Sequence, residues 1–159
     1  MSKRKNIGTL VRSATAFGCR GILAAKKRNQ IPLFGAHGAD KFVPFVYCED
    51  PFKYARNELN CSIVGVEIHE RAVSVRSPQA FSDVKCVAFV LGNEGTGMHP
   101  AVAAKCDRFV YVPQFGNGTA SLNIAVAGSI VFHEFASQMQ FEQHPINGQK
   151  FVVDPTSSF

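Results

Sequence analysis

Two apolar runs that each lead into a glycine-rich segment place the strongest constraint on the fold of this chain. The first run, residues 87–91, is followed by Gly-Asn-Glu-Gly-Thr-Gly, which ends at Gly97. The second run, residues 109–112, is followed by Pro113, by a polar segment with two glycines and then by a long apolar segment that reaches Phe135. Short apolar runs bounded by glycine are typical of buried strands. We expect two strand-to-loop junctions beside one another, forming a cleft lined by backbone N–H and C=O groups that suits a compact polar cofactor.

Short apolar strands alternate with helical segments along most of the chain. Apolar residues recur at helical spacing over residues 7–17, and Gly18 is a suitable helix end. Asp50 and Pro51 are a favourable cap and first turn for a second helix, which is predicted to reach about Leu59. Strands are predicted at residues 21–25, 42–47, 62–66, 87–91 and 109–112. Because strands and helices alternate, the sequence predicts an α/β fold with a mainly parallel sheet flanked by helices.

The last predicted helix is apolar on almost every side. It covers residues 120–139, and its composition predicts burial on more than one face. A chain of 159 residues can hardly cover such a helix by itself, so the pattern predicts a C2 dimer. A short helix at residues 100–106 is predicted to join the two glycine-rich blocks. Residues 1–140 are predicted to form one domain, and residues 141–159 to be either a docked extension or a disordered tail, with a turn at Asn147-Gly148.

The charge balance of the chain favours a polyanionic partner. Lys and Arg number 17 against 12 Asp and Glu, which gives a net charge of +5 and a pI near 9.1. An ordinary solvated basic surface explains this balance equally well. Three of the charges, Lys26, Lys27 and Arg28, follow the first predicted strand, where they could face phosphate groups or form a solvated turn.

The five cysteines are predicted to be reduced and mostly buried, because no two of them have the C-x-x-C spacing of a zinc site or a redox motif. The basic residues 1–5 are followed by an amphipathic pattern and not by the apolar core of a signal peptide. No apolar run approaches the roughly 20 residues that span a bilayer. We therefore expect a soluble protein of a reducing compartment, either cytosol or nucleus, with an organelle also possible.

Familiar nucleotide, metal and nucleophile motifs do not fit this sequence. Residues 92–97 read G-x-x-G-x-G, the reverse of the dinucleotide fingerprint, and Met98 stands where a P-loop has its lysine. The two His-Glu pairs of the chain lack the second histidine of H-E-x-x-H, so no metal site is predicted. Ser121 lies at a predicted helix start, where capping is a simpler role than nucleophilic attack.

Three sequence blocks occur in a fixed order. The first is N-x-G-x-x-x-R-x-A-x-x-F-G, from Asn6 to Gly18. The second is V-L-G-N-E-G-T-G-M at residues 90–98, and the third is V-P at residues 112–113 with A-S-L-N-I-A at residues 120–125. Together they resemble the SpoU (TrmH-like) branch of the SPOUT superfamily of RNA methyltransferases. The resemblance spans residues 6–136, and three ordered blocks are far more specific than one glycine motif.

The resemblance implies a SPOUT-type fold with a C-terminal trefoil knot, a homodimer, and S-adenosylmethionine as the cofactor. The implied reaction is methylation of a ribose 2′-hydroxyl of tRNA or rRNA. Backbone groups beside apolar side chains could recognise adenine without any charged side chain. By the same resemblance, the cofactor would be bound by Leu91, Gly92, Asn93, Gly97, Val112, Pro113, Gln114, Ser121, Leu122, Asn123 and Ala125.

The resemblance also implies which residues act on the substrate. Arg12, supplied by the partner subunit, would polarise the 2′-hydroxyl and hold the adjacent phosphate, because a guanidinium stays protonated and is a poor general base. Asn6 and Glu94 would support the geometry of loop and substrate, and Ser121 and Asn123 would order the third block. The residues expected to contact RNA are Arg12, Lys26, Lys27 and Arg28.

Two departures from the family pattern bear on these expectations. The family has an apolar strand before the first block, and here only residues 1–5 precede Asn6, so that first strand is expected either to be missing or to have been truncated from the chain. No separate N-terminal RNA-binding domain is expected, so RNA would be held by the basic patches of the catalytic domain or by another protein. Two alternatives stay open, namely an RNA-binding scaffold of the SPOUT type without turnover, and methylation of a base instead of the ribose.

Overall fold

The structure is a computed structural model that describes residues 3–25, 35–93 and 95–153, with side chains from residue 6 onward. Its helices are α1 Lys3–Ala16, α2 Pro51–Asn57, α3 Pro100–Ala103 and α4 Ile124–Gln138. Its strands are β1 Ile22–Ala25, β2 Phe45–Cys48, β3 Ser62–Val66, β4 Ala72–Ser74, β5 Val87–Leu91, β6 Arg108–Tyr111, β7 Ile146–Asn147 and β8 Lys150–Phe151.

The strands of the main sheet are all parallel, and they lie in the order β4-β6-β3-β5. Strand β3 pairs with β5 on one side and with β6 on the other, and β4 pairs with β6. Strands β1 and β2 form a separate parallel pair, and β7 and β8 form an antiparallel hairpin. The predicted α/β class with a mainly parallel sheet is therefore confirmed.

The core lies on both faces of the central strand β3. Val64 and Val66 face one cluster, which contains Phe81 and Val131 from outside the strand. Ile63 faces a second cluster on the opposite side, because successive side chains of a strand alternate between faces. Burial on both faces explains why residues 62–66 have an almost continuous apolar sequence instead of an alternating one.

Helix α4 packs against α1 as well as against the sheet. A Cβ atom on Gly128 would lie 2.6 Å from Leu10 of α1 and 3.3 Å from Leu91 of β5, so the two helices approach closely at this glycine. Ser13 and Ser129 form a hydrogen bond between their hydroxyl groups across the same contact, with 2.6 Å between the oxygens. The apolar character of α4 on several sides therefore has a cause within the chain, although Val126 stays 48% exposed.

Two elements differ from the sequence prediction, namely helix α4, which begins later than predicted, and strand β4. Helix α4 begins at Ile124 and not at Ala120, because the Asn123 side chain caps it by accepting a hydrogen bond from the backbone N–H of Ala125 (2.9 Å). Strand β4 is not among the strands that the sequence predicts. Its three residues include the exposed Val73, so apolar alternation is missing and the pairing with β6 defines the strand.

The prediction that every cysteine is reduced is wrong for one pair. Cys61 and Cys86 form a disulfide, with 4.5 Å between their Cα atoms. They precede β3 and β5, whose parallel register pairs Ser62 with Val87, so the two cysteines stand opposite each other. Strand register is a property of the tertiary structure, and a separation of 25 residues gives no sign of it. The free cysteines are Cys19, Cys48 and Cys106.

The two glycine signals at element ends are confirmed by their backbone angles. Gly18 has φ 72° at the end of α1, and Gly148 has φ 63° in the turn between β7 and β8.

The described residues contain no helix long and apolar enough to cross a membrane. Helix α1 is the first described element, and Lys26, Lys27, Arg28 and Glu94 lie outside the described residues. The missing first strand, the trefoil knot and the division at residue 140 stay predictions.

Candidate functional site

The carboxyl ends of three parallel strands meet at one edge of the main sheet and form a cleft there. Strands β3, β5 and β6 end at Val66, Leu91 and Tyr111 and continue into the residues that line the opening. In open α/β sheets, ligands bind at this edge. The cleft encloses about 670 Å³ including its open mouth, and its lining residues are Val66, Glu67, Ile68, Leu91, Gly92, Asn93, Gly97, Tyr111, Val112, Gln114, Ser121, Leu122, Ile124 and Ala127.

A small closed loop after β5 forms one wall of the cleft. Asn93 and Gly97 exchange two backbone hydrogen bonds, of 3.1 Å and 2.9 Å. The Asn93 side chain also accepts a hydrogen bond from the N–H of Gly95 (3.0 Å). Gly97 has φ 67°, in the left-handed region where other residues are strained, so glycine is needed for the loop to close.

The segment between β6 and α4 forms the facing wall. Val112, Leu122 and Ile124 contribute apolar surface, and Gln114 and Ser121 contribute polar groups. This mixture of apolar surface with a few polar groups is typical of sites for small organic ligands.

Asn123 ties this second wall to helix α1. Its side-chain oxygen caps α4, and its side-chain N–H donates to the carbonyl oxygen of the Asn6 side chain (3.2 Å). Asn6 is only 7% exposed, so this hydrogen bond is partly shielded from water and helps to fix where the loop enters the helix. The sequence predictions for Asn6 and Asn123 therefore fall on residues that contact each other, although their spacing in the chain is large.

Eight of the eleven residues expected to bind the cofactor line this cleft. They are Leu91, Gly92, Asn93, Gly97, Val112, Gln114, Ser121 and Leu122. Pro113, Asn123 and Ala125 are neighbours in the chain that do not line it, and Asn123 and Ala125 instead form the cap of α4.

Arg12 does not lie at the cleft of its own chain. It is an exposed residue of α1 and is not among the residues that line the opening. The structure therefore brings Asn6 into contact with Asn123, two residues after Ser121, whereas Arg12 does not line the cleft.

Glu67, which none of the sequence motifs singles out, lies in the wall of the cleft. Its carboxylate accepts a hydrogen bond from the backbone N–H of Ile68 (3.2 Å) and lies directly against Gly92. A Cβ atom at Gly92 would lie 2.9 Å from the Glu67 carboxyl carbon, and one at Gly97 would lie 3.6 Å from it. A signal was present, because Glu67 follows the apolar run of β3 directly and the side chain after a parallel strand faces the ligand edge.

Two of the free cysteines, Cys19 and Cys106, are poorly suited to nucleophilic chemistry. Burial raises the pKa of the Cys19 thiol to about 11, and burial also raises the pKa of Cys106. Both thiols are therefore almost fully protonated at neutral pH, and the thiolate is the reactive form. Within the described residues, no group of three or more His, Cys, Asp and Glu side chains is placed to hold a metal ion.

Comparison with known families identifies one match that covers most of the chain. The sequence model of the SpoU rRNA Methylase family matches residues 1–133. The 23S rRNA (guanosine-2′-O-)-methyltransferase RlmB of Acinetobacter baylyi is 28% identical over 140 residues, which are 84% of this chain and 55% of that protein. The 23S rRNA (guanosine(2553)-2′-O)-methyltransferase RlmP of Bacillus subtilis is 34% identical over 134 residues, 80% of this chain and 52% of that protein. The chain thus spans about half the length of these relatives.

Solved structures share the fold. The TrmH/SpoU tRNA modifying enzyme of A. aeolicus superimposes with a TM-score of 0.71 at 23% identity, covering 88% of this chain and 72% of that one. The SpoU methyltransferase AviRb of Streptomyces viridochromogenes, in complex with the cofactor AdoMet, gives a TM-score of 0.68 at 24% identity, covering 87% and 57%.

Proposed function

Because the chain belongs to the SpoU rRNA Methylase family, we propose that it methylates a ribose 2′-hydroxyl of RNA with S-adenosylmethionine as the methyl donor. The observation that carries this proposal is the cleft at the carboxyl ends of β3, β5 and β6, whose lining combines glycine backbone, apolar side chains and a few polar groups. The chain spans about half the length of its curated relatives, so the proposal concerns what these residues can do.

The residues of the cleft fit the proposed cofactor. Leu91, Val112 and Leu122 offer apolar surface for the adenine ring, while neighbouring backbone N–H and C=O groups can bond to its edge. Gly92 and Gly97 let the main chain approach the ligand closely.

The chemistry leaves two tasks to the protein. When bound, S-adenosylmethionine supplies a methyl group on a sulfonium sulfur, which is a good leaving group. The residues around it must align the ribose oxygen with that methyl group and ease the loss of the hydroxyl proton. Arg12 suits the second task, because its guanidinium can bind the adjacent phosphate and polarise the 2′-oxygen while it remains charged.

The exposed position of Arg12 supports an active site shared between two subunits. Arg12 lies on α1 and does not line the cleft of its own chain, so it would reach a cofactor bound by the partner subunit. Exposed apolar side chains on and near the second wall, Val126 at 48% and Phe115 at 88%, are suited to burial in a homodimer. The dimer is thus part of the catalytic proposal.

RNA is the proposed substrate class. The named relatives act on 23S rRNA, and a solved relative is named as a tRNA modifying enzyme, so both rRNA and tRNA are substrates to test. The net charge of +5 favours phosphate contacts. Lys26, Lys27 and Arg28 would contribute to them.

Methyl transfer tests the proposal directly. Wild-type protein should transfer labelled methyl groups from S-adenosylmethionine to rRNA or tRNA transcripts. The Arg12→Ala variant should lose this transfer and keep its affinity for S-adenosylmethionine. Arg20→Ala removes another exposed arginine, beyond the end of α1, and should leave transfer unchanged. Cofactor and RNA binding without transfer in the wild type would identify an RNA-binding scaffold and refute the enzyme.

Mixing two defective subunits tests the shared site. Arg12→Ala protomers co-expressed with protomers carrying Leu122→Arg in the cleft should regain about a quarter of wild-type activity, because half of the dimers are mixed and each mixed dimer has one intact site. If Arg12 acted within its own chain, neither site of a mixed dimer would be intact, and mixing would restore no activity.

A further inference from the structure

Glu67 brings a negative charge into a cleft whose other described lining residues are uncharged. Among the described lining residues it is the only one with a carboxylate, and none of them is Lys, Arg or His. The ion pairs of the described residues join Arg56 to Asp107 and Lys105 to Asp50, so Glu67 is not neutralised by either. The charge of Glu67 is therefore available to a ligand.

The position of the Glu67 carboxylate favours contact with a ligand over a purely structural role. It lies at the end of β3, between the backbone of Gly92 and that of Gly97, both of which line the cleft. It accepts a hydrogen bond from the N–H of Ile68, which leaves further acceptor positions on the two carboxylate oxygens. A side chain needed only to cap Ile68 would not have to reach across to these glycines.

We propose that Glu67 makes the cleft selective for the charge of the cofactor, so that it holds S-adenosylmethionine more tightly than the demethylated product S-adenosylhomocysteine. This inference rests on the proposed function. When the S–CH3 bond breaks, its electron pair stays on sulfur, the ribose oxygen takes the methyl group and the hydroxyl proton leaves to solvent. The bound nucleoside thereby changes from a sulfonium cation to a neutral thioether.

Because the ligand loses its positive charge when the product forms, its attraction to the Glu67 carboxylate weakens at that moment. A nearby carboxylate attracts the cation and has much less attraction for the neutral thioether, and the effect is larger in a partly closed cleft than in bulk water. Glu67 therefore favours binding of the methyl donor and release of the spent product at one site, without any movement of the loops.

Calorimetry with both ligands tests the role of the charge. Glu67→Gln keeps the size of the side chain and its acceptor oxygen but removes the charge. We expect it to weaken S-adenosylmethionine binding by about tenfold and to change S-adenosylhomocysteine binding by less than about twofold. The matched control is Glu70→Gln, which removes the same charge from an exposed residue that does not line the cleft.

Salt provides a second measurement that a structural role would not affect. The preference of the wild type for S-adenosylmethionine should shrink as sodium chloride is raised, and Glu67→Gln should show little of this dependence. Equal weakening of both ligands in Glu67→Gln, or no weakening of either, would overturn the inference while leaving the methyltransferase proposal intact. A wild type that binds neither ligand would refute both.

Discussion

Replacing Gly92 with alanine should separate ligand binding from folding. The added methyl group would overlap the carboxyl group of Glu67, with 2.9 Å to its carbon, and would approach the backbone nitrogen of Met98 at 3.4 Å. The carboxyl group is the end of a flexible side chain, so it can rotate away. Gly92 is not among the residues with positive φ, so alanine can adopt its backbone conformation.

The effect on folding should be small because two terms oppose each other. Moving Glu67 to a less favourable rotamer costs on the order of 0.5–1.5 kcal/mol. Restricting the unfolded chain by a Gly→Ala change stabilises the folded state by about 0.4–1 kcal/mol. We therefore expect the free energy of unfolding of Gly92→Ala to stay within about 1 kcal/mol of the wild type.

The effect on cofactor binding should be larger. The methyl group enters the wall of the cleft, where overpacking typically costs about 1–3 kcal/mol, and it displaces the Glu67 carboxylate from its position. A loss of at least about 1.4 kcal/mol corresponds to a tenfold rise in Kd. S-adenosylmethionine affinity should fall at least about tenfold, measured by calorimetry beside urea unfolding of the same variant.

Gly95→Ala is the matched control for this experiment. Gly95 belongs to the same loop and does not line the cleft, and a Cβ atom there would meet only the side-chain oxygen of Asn93, at the ordinary contact distance of 3.8 Å. The Gly95→Ala variant should bind S-adenosylmethionine with the affinity of the wild type. Wild-type affinity in Gly92→Ala, or equal losses in both variants, would refute the assignment of the cofactor to this cleft.

Three further predictions concern the core and the cysteines. Gly65→Ala should lower the free energy of unfolding by about 1–3 kcal/mol in urea titrations, because its Cβ atom would lie 2.6 Å from the ring of Phe109. This ring is 1% exposed and cannot move aside, so an unchanged free energy of unfolding would contradict the packing described for this site. Unreduced, denatured protein should show three free thiols and reduced protein five, and five in both would exclude the disulfide between Cys61 and Cys86. The pKa of about 11 leaves roughly one Cys19 in a thousand as thiolate at pH 8, so mass spectrometry after iodoacetamide treatment of the native protein should find Cys19 almost unlabelled, and rapid labelling would contradict the raised pKa.

Sequence patterns were sufficient for features that depend on neighbouring residues in the chain. Strands β3 and β5 follow from their apolar runs, and the start of α2 follows from Asp50, whose side chain accepts hydrogen bonds from the N–H groups of Phe52 and Lys53 (3.0 and 3.3 Å). The backbone hydrogen bond from Lys53 is the main cause that lowers the pKa of Asp50, so the cap is charged at neutral pH.

Features that depend on distant parts of the chain could not be predicted in this way. The disulfide between Cys61 and Cys86 depends on the register of β3 against β5, and the contact between Asn6 and Asn123 depends on how α1 lies against α4. Glu67 gave a weak signal, because it is one of several charged residues that follow an apolar run. Only the convergence of three strand ends distinguishes it from a solvated glutamate.

The measurement that tests the central claim most directly is nucleoside mass spectrometry of RNA methylated by the purified protein. Digestion of the product RNA should release a 2′-O-methylated nucleoside that carries the label from S-adenosylmethionine, and RNA treated with Arg12→Ala should lack it although this variant still binds the cofactor. A label found on a base, or an unlabelled RNA after incubation with wild-type protein and cofactor, would contradict ribose 2′-O-methylation by this chain.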